Sequence, residues 1–482
     1  MIVMKFGGSS VGTAEAIGQV AGLVESYREE KPVIVVSALQ GVTDRLLALA
    51  DAALARDLDA VEAGLAQLRS RHRETAIGAA GDDALACLAR IDALMGELGH
   101  ALRGIAALGE LSPRSLDLVV SFGERLSAPI VAAALSARGI PAEDVDARAL
   151  IVTDDRFTSA AVRFPETDAR VAAALPPMTD AGKVPVVTGF IGATEDGVTT
   201  TLGRGGSDYS VAILAGAVGA REIWIWKEVD GVMTADPGTV PDASLLSAIS
   251  YDEAAEMSYF GAKVLHPKTM IPAVERSIPI RMRNTFRPDA PGTVIGRGTV
   301  ASPLGVKVVT AIKKLAMVTV EGKGMMGMAG FAAQVLGVAG RRGINVIMFS
   351  QSSSEQNICL VTGAKDGHRF KAELERELRE ELSQRLIDRI TVEDGVAAVA
   401  VVGEGMKGAP GVAARLFGAV AEANVNILAI AQGSSERNIS FVVREADADA
   451  AVREVHKAFG LHDLAPKTTA KASKLEARSS QL

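Results

Sequence analysis

An α/β fold with buried parallel strands, followed by two copies of a smaller strand–helix unit, is what this sequence predicts. Three observations carry the prediction. Short apolar runs without polar alternation, such as Val33-Ile34-Val35-Val36, are separated by helical stretches, the pattern of parallel strands covered on both faces. The alternation stops over residues 50–110 and resumes from about 117 to 300. The last third repeats itself at one constant offset.

The elements follow in order. Residues 1–50 read as strand (Ile2 to Phe6), glycine loop, helix and strand (Val33 to Ser37). A helical insertion, about 50–115, is rich in Ala, Leu, Arg and Glu and breaks near Gly78 to Gly81. Strands return at Val184 to Phe190, Glu222 to Trp226 and Ile278 to Arg283. Pro288 to Pro291 and Ser302-Pro303 mark a linker. In the repeat, Gly324 matches Gly405, Gly330 matches Gly411, Asn345 matches Asn426 and Gln351 matches Gln432, each 81 residues apart. The division is 1–300, 301–390, 391–465 and a Lys-, Ala-, Ser- and Thr-rich tail at 466–482, which reads as disordered.

Composition narrows the function. Net charge is −7, from 51 basic and 58 acidic residues, which argues against a nucleic-acid or anionic-membrane surface. The two cysteines, Cys87 and Cys359, lie in apolar stretches without metal-ligand spacing, which reads as a reducing compartment with no structural disulfide; no protein-held metal is expected. The chain begins directly on a strand-like segment, without a signal-like leader, and no apolar run reaches membrane-spanning length. The expected location is the cytoplasm.

One motif is rejected. Gly322 to Gly327 and Gly403 to Gly408 both match G-x-G-x-x-G after a strand. The next strand, Ile344 to Ser350, has no acid to hold a ribose, and each copy is short for a doubly wound nucleotide domain.

Five constellations carry chemistry. Lys5-Phe6-Gly7-Gly8-Ser9-Ser10 joins a cation to a glycine loop at a helix start, which reads as a phosphate cradle before a plain tight turn. Gly203-Arg204-Gly205-Gly206-Ser207-Asp208 offers a guanidinium fork for a carboxylate, with Asp208 also fit to cap a helix. Phe260-Gly261-Ala262-Lys263-Val264-Leu265-His266-Pro267 sets a Lys in apolar surroundings. Lys227-Glu228-Val229-Asp230-Gly231-Val232-Met233 is a turn-rich loop after a strand. Glu124 in Phe122-Gly123-Glu124 suits an ammonium, and Thr43 in Val36 to Thr43 suits a carboxylate. No Walker A pattern occurs, so a kinase here is not of the P-loop class.

At these residues the sequence resembles the aspartate kinases of the amino-acid kinase superfamily, most closely the kinase half of bifunctional aspartokinase–homoserine dehydrogenases. The match includes Lys5 to Ser10, Val36 to Thr43, Phe122 to Glu124, Gly203 to Asp208 and Phe260 to Pro267. The resemblance implies a three-layer α/β/α kinase domain and two ferredoxin-like (βαββαβ) ACT domains. It implies Lys5, Asp208 and Lys263 as catalytic residues. Ser37, Thr43, Glu124, Arg204, Gly205, Gly206 and Ser207 would bind aspartate. Lys5, Gly7, Gly8, Ser9, Lys227, Glu228, Asp230, Met233, Lys263 and Val264 would bind ATP, with Mg²⁺ on the phosphates. The family often has Thr-Asp at Lys227-Glu228, Tyr at Met233 and Arg at Gly238, so the nucleotide loop departs from its pattern.

The resemblance also implies an amino-acid effector, threonine before lysine, with Asn345, Gln351, Asn426 and Gln432 as contacts. It implies a homodimer or homotetramer through the ACT domains. The dehydrogenase activity is expected to be absent. Two other readings stand beside it: a kinase for another acidic amino acid, and a sensor without catalysis, which intact Lys5, Arg204 and Asp208 oppose.

Overall fold

The structure is a computed structural model and describes residues 1–261, 265, 267–297, 302 and 305–464. Lys263, Val264, His266, Pro303 and the expected tail 466–482 lie outside the described residues. There are two compact units: residues 1–232, 247–251 and 265–298, and residues 233–246, 252–264 and 299–482.

In the first unit the chain runs β1 (Ile2–Phe6), α1 (Ala14–Ser26), β2 (Pro32–Val36), α2 (Val42–Leu54), α3 (Leu58–Ala80), α4 (Leu85–Leu108) and α5 (Pro113–Ala137). It continues through β3 (Ala142–Val145), α6 (Phe164–Asp180), β4 (Val184–Thr188), the ribbon β5 (Ile191–Ala193) and β6 (Thr199–Thr201), α7 (Gly206–Ala217), β7 (Ile223–Lys227) and β8 (Ala248–Ser250). After α8 (Tyr251–Tyr259), most of which belongs to the second unit, come α9 (Pro267–Arg276), β9 (Ile280–Asn284) and β10 (Thr293–Gly296). The sheet order is β3-β4-β2-β1-β7-β9-β10-β8, parallel except between β9 and β10.

Strands β1, β2 and β4 are buried at every residue, as runs apolar on both faces require. Ile2, Met4 and Phe6 face a core shared with α1 to α5. Side-chain alternation therefore puts Lys5 on the other face, while α7 also packs against β1. The helical insertion breaks where expected: α3 ends at Ala80, and Gly81 turns the chain with φ 55°. Asp57 caps α3 through the Ala60 N–H (3.0 Å), and Ser112 caps α5 through the Ser115 N–H (3.2 Å). Each such cap stabilises by about 1 kcal/mol. Helix α5 is long and apolar enough to cross a membrane, but 89% of that stretch is buried, so it is a core helix.

The second unit holds β11 (Val308–Glu321), α10 (Phe331–Arg341), β12 (Val346–Gln351), β13 (Asn357–Gly363), α11 (Ala364–Glu377) and α12 (Arg379–Ser383). Then follow β14 (Arg389–Val402), α13 (Val412–Glu422), β15 (Ala429–Gln432), β16 (Asn438–Arg444) and α14 (Ala448–Ala458). The antiparallel sheet order β12-β13-β11-β14-β16-β15 is symmetric about its middle. Strands β11 and β14 pair along their length, from Val308↔Val402 to Glu321↔Arg389.

Core membership does not follow the 301–390 and 391–465 division. Val306 and Val309 pack with Val399, Phe441 and Val455, whereas Ile387 and Ile390 pack with Val318, Phe331 and Phe370. Each long strand thus serves both repeats. Ala235 and Val240, from a segment interior to the expected catalytic region, join the Phe441 core. The G-x-G pairs are explained by backbone approach: a Cβ on Gly403 would lie 2.1 Å from the Gly305 carbonyl oxygen, and one on Gly322 2.2 Å from that of Leu386.

A buried ion pair fixes another interior segment. Lys307 Nζ lies 2.8 Å from Glu253 Oε2, with side chains 5% and 1% exposed, and Glu253 Oε1 accepts the Glu404 N–H at 2.8 Å. Removing one partner of such a pair strands the other charge. Lys307→Met is expected to cost about 3 kcal/mol or more, read as a lower urea midpoint, with Glu253→Gln added on top recovering part. An unchanged midpoint refutes it.

Candidate active site

The end of β1, the start of α7 and the end of β7 converge because β1 lies between β2 and β7 and α7 crosses it. Lys5 Nζ lies 2.8 Å from Asp208 Oδ1, with side chains only 8% and 14% exposed. Lys227 Nζ is 4.0 Å from Asp208 Oδ2. Burial pushes the Asp208 carboxyl up, but the Lys5 and Lys227 charges outweigh it and hold the carboxyl below its ordinary value. Burial draws the Lys227 ammonium down, with Asp208 opposing. Close packing sets the α7 turn: a Cβ on Gly206 would fall 2.4 Å from Phe190 Cδ2.

Glu124 approaches from α5. Its Oε1 accepts the Ala38 N–H at 3.1 Å, and its Oε2 is buried with no hydrogen-bond partner among the described residues. Burial pushes this carboxyl up to about 8. Such a group is prepared for a cation that would compensate the missing solvation.

Lys5, Gly8, Ser37, Thr43, Glu124, Arg204, Gly205, Gly206, Ser207 and Asp208, all singled out in the sequence, line one cavity of about 650 Å³. That size suits a small polar ligand with part of a larger one. Of the residues expected to hold a nucleotide, Gly7, Ser9, Lys227, Glu228, Asp230 and Met233 are not among those lining this cavity. Ser9 Oγ donates to Glu228 Oε2 at 2.8 Å, and the Gly7 N–H reaches the Trp226 carbonyl at 3.4 Å. Asp230 accepts from Asn284 Nδ2 (2.8 Å) and pairs with Arg287 (2.8 Å). Met233 belongs to the second unit and bridges to Leu245. Asn345, Gln351, Asn426 and Gln432 are exposed in the second unit, with Gln351 ending β12 and Gln432 ending β15.

Sequence reasoning missed Asp117, Thr158, Phe190 and Thr201, which also line the cavity. Asp117 carried a signal: a lone acid in Leu116-Asp117-Leu118-Val119-Val120. Burial pushes its carboxyl up, against hydrogen bonds from Thr158 and Thr201.

Residues 1–284 match the amino acid kinase family, and residues 318–378 and 399–459 each match an ACT domain. A chloroplastic bifunctional aspartokinase/homoserine dehydrogenase 1 from Zea mays is 39% identical over 473 residues, 95% of this chain and 50% of that protein. Escherichia coli aspartokinase III in complex with aspartate and ADP (R-state) superposes with TM-score 0.80 at 31% identity, covering 95% of this chain and 99% of that one. Its T-state complex with lysine and aspartate gives 0.77 at 32%, with the same coverage. The chain belongs to the amino acid kinase family and, within it, to the aspartokinases. It spans about half the length of the bifunctional relatives it matches.

Glu124 sets a pH dependence in the ligand-free protein. Its folded-state value, about 8, lies above the ordinary 4.5, so its protonated form stabilises the fold. That contribution is complete below pH 4.5 and is lost as pH rises through about 8. Glu124→Gln is expected to flatten the stability curve across this window in urea titrations. A variant curve parallel to wild type contradicts the assignment.

Proposed function

We propose that the chain transfers the γ-phosphoryl group of ATP to the side-chain carboxylate of L-aspartate, giving ADP and 4-phospho-L-aspartate. This would be the first step toward the aspartate-derived amino acids lysine, threonine and methionine. The observation that carries the reading is one cavity holding a buried, unpartnered Glu124 oxygen, the Arg204 side chain and the Lys5–Asp208 pair. Glu124 and Arg204 suit the ammonium and α-carboxylate of an amino acid, leaving its side chain for Lys5. Aspartate and ADP in the Escherichia coli relative agree with this.

The nucleophile is the substrate's own carboxylate, ionised at neutral pH, so no general base is required. The chain's residues align it and neutralise developing charge. Lys5 offers that charge, and Asp208 orients Lys5 without surrendering it to solvent. Ser37, Thr43, Gly205, Gly206 and Ser207 complete the amino-acid side. Gly7, Gly8, Ser9, Lys227, Glu228, Asp230 and Met233, with Lys263 and Val264, are proposed for ATP. No group of three or more metal-ligating side chains occurs among the described residues. Mg²⁺ is proposed to travel with the ATP phosphates.

The ACT pair is proposed to bind threonine through Asn345, Gln351, Asn426 and Gln432, and to join chains into a dimer or tetramer. Lysine is the second reading, favoured by its presence in the T-state Escherichia coli relative. A reducing, cytoplasmic location fits free Cys87 and Cys359, whose thiols burial pushes up, Cys87 to about 12.

A hydroxamate assay with aspartate and ATP, repeated with threonine, lysine and both, tests activity and effector together. Absence of aspartyl hydroxamate sinks the reading. Lys5→Ala is expected to lower kcat by about 10²-fold or more, and near-normal turnover removes Lys5 from its role. Gln351→Ala is expected to raise the threonine concentration for half-inhibition while uninhibited turnover stays near wild type. Superimposable inhibition curves exclude Gln351.

A further inference from the structure

We propose that Asp117 is a positioning residue that holds Arg204 in place relative to Glu124, and so sets the pocket's selectivity for an amino acid with both charged ends. The inference rests on the aspartate kinase reading and names a residue for which that reading has no use.

Asp117 and Glu124 share helix α5, seven residues apart. Seven residues are about two turns, roughly 10 Å along the axis, so the two carboxylates lie on one helix face. Both line the cavity. Asp117 is fully buried and already has three donors. Its Oδ2 accepts the N–H groups of Thr158 and Thr201, each at 2.9 Å, and its Oδ1 accepts the Thr201 hydroxyl at 2.7 Å. A carboxylate engaged in this way orients protein more than it binds ligand.

What it orients is the approach to Arg204. Thr158 has φ 69°, a left-handed conformation that a β-branched residue adopts only when its surroundings impose it. The Asp117–Thr158 bond is one such restraint. The Thr158 carbonyl in turn lies against Gly203, where a Cβ would sit only 3.1 Å from that oxygen. Thr201 lies two residues before Gly203 on the same strand exit. Asp117 thus ties both chain segments beside Arg204 to the helix that carries Glu124.

The test uses the full chain and begins with wild type. Failure of wild type to phosphorylate aspartate sinks the kinase reading. An active wild type lets the variants judge this inference alone. Asp117→Ala is expected to raise the aspartate KM by more than about tenfold while the ATP KM stays within about twofold. Asp117→Asn should stay within about threefold of wild type, since its carbonyl takes the two N–H groups and its amide donates to the Thr201 hydroxyl. Adding Thr158→Gly to Asp117→Ala should recover about threefold or more, because glycine adopts that φ unaided. Should Asp117→Ala not fold, Thr201→Val, which removes one donor, carries the same split at about threefold. An unmoved aspartate KM in Asp117→Ala, or in Thr201→Val should the first not fold, overturns the proposal. So does an equal rise in both KM values, or no gain from Thr158→Gly.

Discussion

An ammonium and a carboxylate sealed together near the end of an interior strand constrain much of the first unit. Lys5 and Asp208 are nearly without solvent, and neither charge survives there unless the other is held at contact distance. That requirement fixes which way β1 faces, where α7 begins and how closely Gly206 passes Phe190. It also gives Lys227, brought beside β1 by strand pairing, a reason to be there. The same low-polarity surroundings that make the pair costly to break make its field effective on an incoming charge.

Glu124, in the same cavity, works by omission. Glu124 receives one backbone N–H and nothing on its second oxygen. The protein tolerates an unsatisfied buried acid by keeping it protonated to about pH 8, which leaves a defined gap for a cation. Asp208 has two ammonium groups beside it, whereas the second Glu124 oxygen has no partner among the described residues. A ligand with both an ammonium and carboxylates resolves the difference.

Much of this was legible in the residues. The central strands showed as runs apolar on both faces, and the helix break at Gly81 as a cluster of small residues. The cavity residues were legible because glycine loops at strand ends leave few other roles for Lys5, Arg204 and Asp208. Edge strand β3 was not, since Glu143 and Asp144 give it no apolar run. The Asp117 network was not, because its partner Thr201 is 84 residues away and nothing local announces the pairing. The repeat's offset was plain and holds for whole elements: α10 starts at Phe331 and α13 at Val412, β13 at Asn357 and β16 at Asn438. Its sharing of strands was hidden, because β11 has the same local pattern whichever core its halves enter.

The segments 233–246 and 252–264 lie between catalytic strands in sequence yet belong to the second unit. They bring Ala235, Val240 and the buried Glu253 into it. A chain cut after residue 300 would therefore not be a kinase without its sensor. It would keep pieces of the sensor's interior, apolar and charged, with nothing to cover them. A single crossover at that point would part Ala235, Val240 and Glu253 from the core and the ion pair they complete.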